Sequence, residues 1–314
     1  MAATLMPAEP SPKMDGIAAL SVTASSFVAA AVAPATRRAY QGDLADFLLW
    51  GGQVPSHPRA VAEYIAARAS IHSAATIARR LIGIRRAHTS QGLSDPTKSD
   101  LVKTVLRGLR RTHGQAQRQA APVLREDLLP MLDQAKGMAG ARDRALILLG
   151  FAAALRRSEL VGLDVQALQW VKEGLLVHLP RSKTDQEGQG RKIAVPWGRT
   201  SACPVKAVQQ WLAAAEIQSG AVFRSVNKAG TVSAARLSDQ SVSLIVKRYA
   251  GAAGLPAEKF SGHSLRSGLV TSAAKAGVSF QKIQDQTGHR STAMLVRYIR
   301  DANVFENNAA GMLL

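Results

Sequence analysis

Between His113 and Pro122 the sequence runs HGQAQRQAAP, with no apolar period that a helix or strand could bury. A Gln-, Ala- and Gly-rich stretch of this kind reads as an interdomain linker. It separates two unlike halves, so the chain is expected to fold around two cores. A length of 314 residues agrees, at roughly 100–200 residues per domain. The bounds that follow are an arm over 1–15, rich in Pro, Ala and Ser and expected to be disordered, a helical domain over 16–112, a linker over 113–121 and a second domain over 122–314.

Helical spacing runs unbroken through the first half. The stretch from Gly16 to Thr36 carries no formal charge and reads as a flexible start followed by an Ala-rich helix. It is not a secretory signal, because Glu9 and Asp15 offset Lys13 in front of it. Thr36 is placed to cap a helix through Tyr40, Leu44, Phe47 and Leu48, and further helices are expected over about 60–69, 75–91 and 99–111. In the second half an apolar helix is expected over Arg142–Leu155, then short strands at Leu175–Leu179 and Arg191–Val195 around a hairpin loop at Ser182–Gly190. Helices follow over about 204–215, 238–251, 264–276, 280–286 and 292–299. The fold class is therefore mainly α with a small β hairpin or sheet in the second domain.

Charge narrows the partner. Lys and Arg number 40 against 22 Asp and Glu, a net charge of +18, which favours a polyanion, either nucleic acid or an acidic membrane. No run is long and apolar enough to span a bilayer. Between Arg68 and Arg118 eleven basic residues face only Asp95 and Asp100. Arg79, Arg80 and Arg86 fall close together on one helix, and Arg107, Arg110 and Arg111 share a face at i, i+3 and i+4. A basic face without intrahelical Glu partners suits phosphate contact. The single cysteine, Cys203, excludes an intrachain disulfide and fits a reducing, cytoplasmic setting.

Four separated motifs carry chemistry. His263 and Arg266, in GHSLR, lie three apart on a helix opening and project from one face, where an imidazole beside a guanidinium suits a phosphoryl oxygen. Ser264 is not read as a hydrolase nucleophile, because the elbow's final Gly is Arg266 and no acid–His pair supports it. The second motif is Thr287-Gly288-His289-Arg290-Ser291, followed by Tyr298-Ile299-Arg300 on a short helix. Tyr298 alone is commonly a packing residue. In LRRSEL, an apolar helix delivers Arg156 to its end, with Glu159 at i+3 to pair with it or brace a neighbour. The fourth, Arg181-Ser182-Lys183-Thr184-Asp185, sits at the hairpin tip. A Lys there usually serves solubility, but over a site its ammonium can protonate a leaving oxygen.

Arg156, Lys183, the HSLR run at 263–266, Gly288-His289 and Tyr298 occur in the order and approximate spacing of the tyrosine recombinase, or phage integrase, family. The closing run, from Gly262 through AGVS at 276–279 to YIR at 298–300, is similar to that of its Cre-type members. The resemblance covers about 180 residues of the second domain; the first domain resembles the family's core-binding domain in layout more than in sequence. Ala154 departs from it, since many members carry Gly before the Leu-Arg pair.

The resemblance implies that Tyr298 attacks a DNA phosphodiester to give a 3′-phosphotyrosine, that a partner strand's 5′-hydroxyl reverses the step, and that four subunits assemble on two sites. A free tyrosine is ionised about once in a thousand at pH 7, a cost of roughly 4 kcal/mol. Fixed cations around one phosphate offset it, each charge-assisted bond contributing roughly 1.5–3 kcal/mol. Arg156 and Arg266 would grip the phosphate, His263 help accept the tyrosine proton, His289 donate to a non-bridging oxygen and Lys183 protonate the departing 5′ oxygen, with Glu159 in support. The helix of Thr76, Arg79 and Arg80 would enter the major groove, with Arg37, Arg38, Arg86, Arg107, Arg110 and Arg111 as further DNA contacts and Gln240 and Lys247 reaching from the second domain. The apolar tail from Ala309 to Leu314 would dock on a neighbouring subunit. Because the implied phosphotyrosine stores the energy of the broken bond, neither metal nor cofactor is expected, and the sequence agrees in having no phosphate-binding G-x-x-x-x-G-K-[ST] loop and no Asp/Glu metal cluster. Two rivals stand beside this reading, a type IB topoisomerase-like enzyme that relaxes DNA and a DNA-binding protein without catalysis.

Overall fold

The structure, a computed structural model, describes residues 21–114, 119–180 and 190–289, together with 292, 295 and 296. The expected arm at 1–15, the hairpin tip with Lys183, and Tyr298 with the tail behind it lie outside the described residues. The chain forms two compact units, Met1–Gln117 and Arg118–Leu314. Among the described residues of the first, the regular elements are helices. Those of the second combine helices with two small antiparallel sheets, so the chain is mainly α, as its patterning predicts.

The first unit holds α1 (Val22–Ala30), α2 (Pro34–Leu49), α3 (Pro58–Arg68), α4 (Ala74–Thr89) and α5 (Asp100–His113). Helix α2 begins earlier than expected: Pro34 takes its first turn, where a missing N–H costs nothing, and Thr36 lies inside the helix rather than capping it. Serine caps fix two other starts, the Ser73 hydroxyl accepting the Thr76 N–H at 3.2 Å and the Ser99 hydroxyl that of Val102 at 3.3 Å. The core joins Phe47, Tyr64, Ile65, Ile77 and Ile84, with Tyr64 packed edge-on against Phe47 at a centroid distance of 5.1 Å.

The second unit runs α6 (Arg125–Asp133), α7 (Gly137–Ala152), α8 (Arg157–Gly162), β1 (Leu168–Val171), β2 (Gly174–Leu179), β3 (Arg191–Pro196), α9 (Pro204–Ala214), β4 (Arg224–Val226), β5 (Val232–Arg236), α10 (Asp239–Ala252), α11 (Ser264–Lys275) and α12 (Phe280–Thr287). Strands β1, β2 and β3 form one sheet in that order, with Leu176 opposite both Gln169 and Ala194. The second half of α7, from Ala145 to Ala152, is apolar on every side and is buried through Ala145–Gly150 in the main core. The segment entering this unit lies against the start of α11: Val123 donates its N–H to the Ser264 carbonyl at 2.9 Å. Gly268 permits the approach, for a Cβ there would stand 1.9 Å from the Val123 carbonyl oxygen. A smaller core of Val270, Ala274, Ile283 and Leu295 holds α11, α12 and Leu295 together.

Candidate active site

Three chain segments converge in the second unit. The first follows α7, which ends at Ala152 and not, as its apolar run suggests, at Leu155. Ala154 then takes a left-handed backbone, φ 49, and turns the chain so that Arg156 precedes α8 instead of closing α7. The Glu159 carboxylate accepts the Arg156 backbone N–H at 2.9 Å and its Nη1 at 2.5 Å. One acidic side chain thereby satisfies an open N–H at the helix start and orients the guanidinium beside it. Glu159 thus both pairs with Arg156 and braces it.

The second segment opens α11. Ser261 receives the His263 N–H on its hydroxyl at 3.1 Å, and Ser264 that of Ser261 at 2.9 Å. His263 is the residue before the helix and Arg266 lies in its first turn. Arg266 is 1% exposed, and its Nη1 donates to the Ala154 carbonyl at 2.6 Å. The turn that carries Arg156 therefore also anchors Arg266.

The third segment is the end of α12. Gly288, at φ 64, terminates the helix, donating its N–H to the Gln284 carbonyl at 2.7 Å. His289 follows and is buried, with Nδ1 2.7 Å from the Thr287 hydroxyl. Thr287 in turn donates that hydroxyl to the Ile283 carbonyl at 2.7 Å. With its one proton so used, Thr287 can only accept from the ring, which places the imidazole proton on Nδ1.

The electrostatics join these segments into one site. Burial, then the charges of Arg266, Arg156, His263 and Arg191, push His289 down to about 4. His263 keeps an exposed edge, yet desolvation of the rest of its ring, reinforced by Arg266 and Arg156, holds it below the ordinary imidazole value. Both imidazoles are thus neutral at pH 7 among guanidiniums. Such a cluster is poised for an anion, whose arrival would favour protonation.

Arg191, at the head of β3, was not among the sequence candidates. Its Nη1 donates to the Gln286 carbonyl at 3.3 Å, and burial lowers its pKa, with Glu159 opposing the shift and Arg156 adding to it. A signal existed: Arg191, Ile193 and Val195 share the inward face of the strand, an arginine in an apolar register. Thr287 lies in the Thr287–Ser291 motif, where sequence alone does not mark it as the partner of His289.

The expected DNA contacts divide. Arg37, Arg38, Arg86, Arg107, Arg110, Arg111 and Gln240 are exposed, while Thr76 and Lys247 are half-buried. Arg86 lies over the Tyr40 ring at 5.2 Å. Arg80 is different: its side chain is 13% exposed and engages Asp46 and the Tyr64 hydroxyl. Arg79 reaches Asp43 at 2.9 Å while staying half exposed. The acidic partners missing from α4 itself are supplied by α2, which corrects the picture of a wholly unopposed basic face. Among the described residues no group of three or more His, Cys, Asp or Glu is placed to hold a metal, and no helix is long and apolar enough to cross a membrane.

Comparison with known proteins decides the lineage. The model of the "Phage integrase family" matches residues 123–304, more than half of the chain. The chain belongs to the phage integrase family. The integrase/recombinase xerD homolog of Selenomonas ruminantium is 38% identical to this family member over 301 residues, covering 92% of the chain and 88% of the relative. The recombinase cre of Escherichia phage P1 is 26% identical, covering 79% and 77%. In fold, a lambda integrase dimer bound to a COC′ core site matches with a TM-score of 0.61 at 15% identity, over 88% of this chain and 75% of that one. This phage integrase family protein is accordingly a tyrosine recombinase, as its motifs suggest, and the relaxing-enzyme rival is not favoured.

Proposed function

We propose that the protein cuts and rejoins two DNA sites through a covalent bond to Tyr298. The observation that carries this reading is the convergence of Arg156, His263, Arg266 and His289, drawn from three segments, on one largely buried, cationic site. The match over residues 123–304 extends across Lys183 and Tyr298 and supports their roles. Arg156 and Arg266 grip the non-bridging oxygens of one phosphate, each held in aim by its own anchor, Glu159 or the Ala154 carbonyl. The Tyr298 oxygen attacks phosphorus, its proton passing toward His263, and Lys183 gives a proton to the departing 5′ oxygen. Because Thr287 holds the His289 proton on Nδ1, Nε2 donates to the phosphate only once the ring has gained a second proton. DNA binding is therefore coupled to proton uptake at His289.

The first unit grips the duplex through the exposed arginines of α2, α4 and α5, with Arg80 building the helix pair rather than touching DNA. Gln240 and Lys247 contribute contacts from α10. Four subunits act together on two sites in the nucleoid, inside the cell. The 309–314 tail docks on a neighbour, and an apolar groove supports this docking: Leu128, Leu148, Phe151, Trp197, Leu269 and Ile283 line it in the second unit. The test is to sequence DNA held covalently by the protein in cells, place two copies of that site on one plasmid, and score exchange. Recombinant plasmids are expected; supercoil relaxation without recombinants would contradict the reading.

A further inference from the structure

Arg191 has no role in the chemistry above, yet its surroundings are not those of a surface arginine. Nε and Nη2 are buried and meet no hydrogen-bond partner among the described residues. Burying charged donors without partners is unfavourable, so a fold retains them where the charge or shape is needed. Its Nη1 holds the Gln286 carbonyl, three residues before His289. The guanidinium also fills the space beneath Gly288: a Cβ built there would lie 2.3 Å from Nη1 and 2.9 Å from Cζ. Gln286 fastens the same turn from its other side, its Nε2 donating to the Ala152 carbonyl at 2.8 Å and the Ala194 carbonyl at 3.2 Å. The His289 turn is thus seated on the end of α7, on β3 and on Arg191.

We propose that Arg191 is a positioning residue of the active site, fixing where the turn after α12 presents His289 and supplying a standing positive charge behind it. This inference rests on the recombinase reading for what His289 does, but not for where Arg191 sits. Among the described residues, the groups facing His289 are Arg156 ahead of α8, His263 just before α11, Arg266 on α11, Arg191 on β3 and the Thr287 hydroxyl on α12. Removing one of four positive or positively chargeable neighbours makes the imidazole easier to protonate. Removing the guanidinium fork also frees the turn, and misplacement of a reacting group by about 1 Å can cost about 100-fold in rate.

The experiment titrates His289 by NMR in the full-length protein without DNA and measures single-turnover cleavage of a nicked site across pH. In Arg191→Gln, the His289 midpoint is expected to rise by roughly one pH unit. Cleavage should slow about 10–100-fold, and the alkaline-side limb, where His289 gives up its second proton, should move upward with the midpoint. Arg191→Lys keeps the charge without the fork, so its midpoint should stay near that of the wild type while cleavage still slows. An unshifted midpoint in Arg191→Gln, or wild-type cleavage in Arg191→Lys, would overturn the proposal. Should Arg191→Gln fail to fold by circular dichroism, the cleavage rate of Arg191→Lys decides. A wild-type protein that never bonds to DNA would defeat the recombinase chemistry, while the titration would still judge Arg191.

Discussion

His289 keeps a neutral imidazole beside three guanidiniums, and this sets how the folded protein responds to acid. Its folded value is about 4, against 6.5 for a free histidine. Above pH 6.5 the ring is neutral whether folded or unfolded, and stability is unaffected. Between pH 6.5 and 4 the unfolded chain binds the proton first, so stability falls, by on the order of 3 kcal/mol at most. Thermal melts from pH 7 to pH 4.5 should show a decline that His289→Gln reduces; equal slopes in both proteins would contradict this. Ala154 yields a second expectation. A left-handed backbone costs an ordinary residue roughly 1–2 kcal/mol, while losing a buried methyl costs about 0.8 kcal/mol and a glycine adds chain entropy of roughly 0.5–1 kcal/mol. These terms nearly cancel, so Ala154→Gly should melt within a few degrees of the wild type and still cleave. Ala154→Val, β-branched at the same φ, should lose both stability and activity, because the Arg266 anchor moves with the turn. Equal behaviour of the two variants would remove Ala154 from that role.

At the scale of elements, the sequence was most readable where a periodic apolar face ran for several turns. Helices α4, α9, α10 and α11 lie within about two residues of their expected bounds, and β2 and β3 within one. It was least readable where backbone geometry decides. The end of α7 is hidden because Ala153, Ala154 and Leu155 continue both the apolar run and good helix propensity, and the stop is a dihedral angle. Strands β1, β4 and β5 have three to five residues and largely exposed faces, too short to show a period of two. The polar cluster joining α2 and α4 is invisible to counts within one helix. Burial pushes Asp43 upward against the pull of Arg79 and Arg80, while donation from Tyr64, Arg80 and Arg68 outweighs burial at Asp46 and lowers it. Arg80→Ala should therefore destabilise the protein by about 2 kcal/mol, since it takes a charge-assisted hydrogen bond from a half-buried carboxylate and leaves it only Tyr64 and Arg68 as partners. Arg107→Ala should change stability by less than about 0.5 kcal/mol and instead lower the salt dependence of DNA binding by about one unit of log–log slope. Denaturant melts and salt titrations of DNA affinity on both variants check the assignment. A stability loss in Arg107→Ala matching that of Arg80→Ala would reverse it.

For the whole molecule, the motif order across 123–304 carried the family, because the resemblance depends on residue types and spacing rather than on the fold. The candidate site was legible in the same way. Arg156, His263, Arg266 and His289 were named from sequence and share one site, whereas Arg191 and the Thr287–His289 relay needed coordinates to be seen. Assembly is the least local property. Deleting residues 309–314 should leave cleavage of a single site within a few-fold of wild type while greatly reducing exchange between two sites and the tetramer band on DNA; undiminished exchange would refute tail docking. The central claim is that a cationic cage makes one aromatic hydroxyl reactive toward a DNA phosphate. Its most direct measurement is covalent trapping on a suicide substrate nicked beside the cut. Wild-type protein should accumulate as a protein–DNA adduct that protease treatment reduces to a DNA-linked peptide containing residue 298, and Tyr298→Phe should give none. An adduct that persists in Tyr298→Phe would contradict the account.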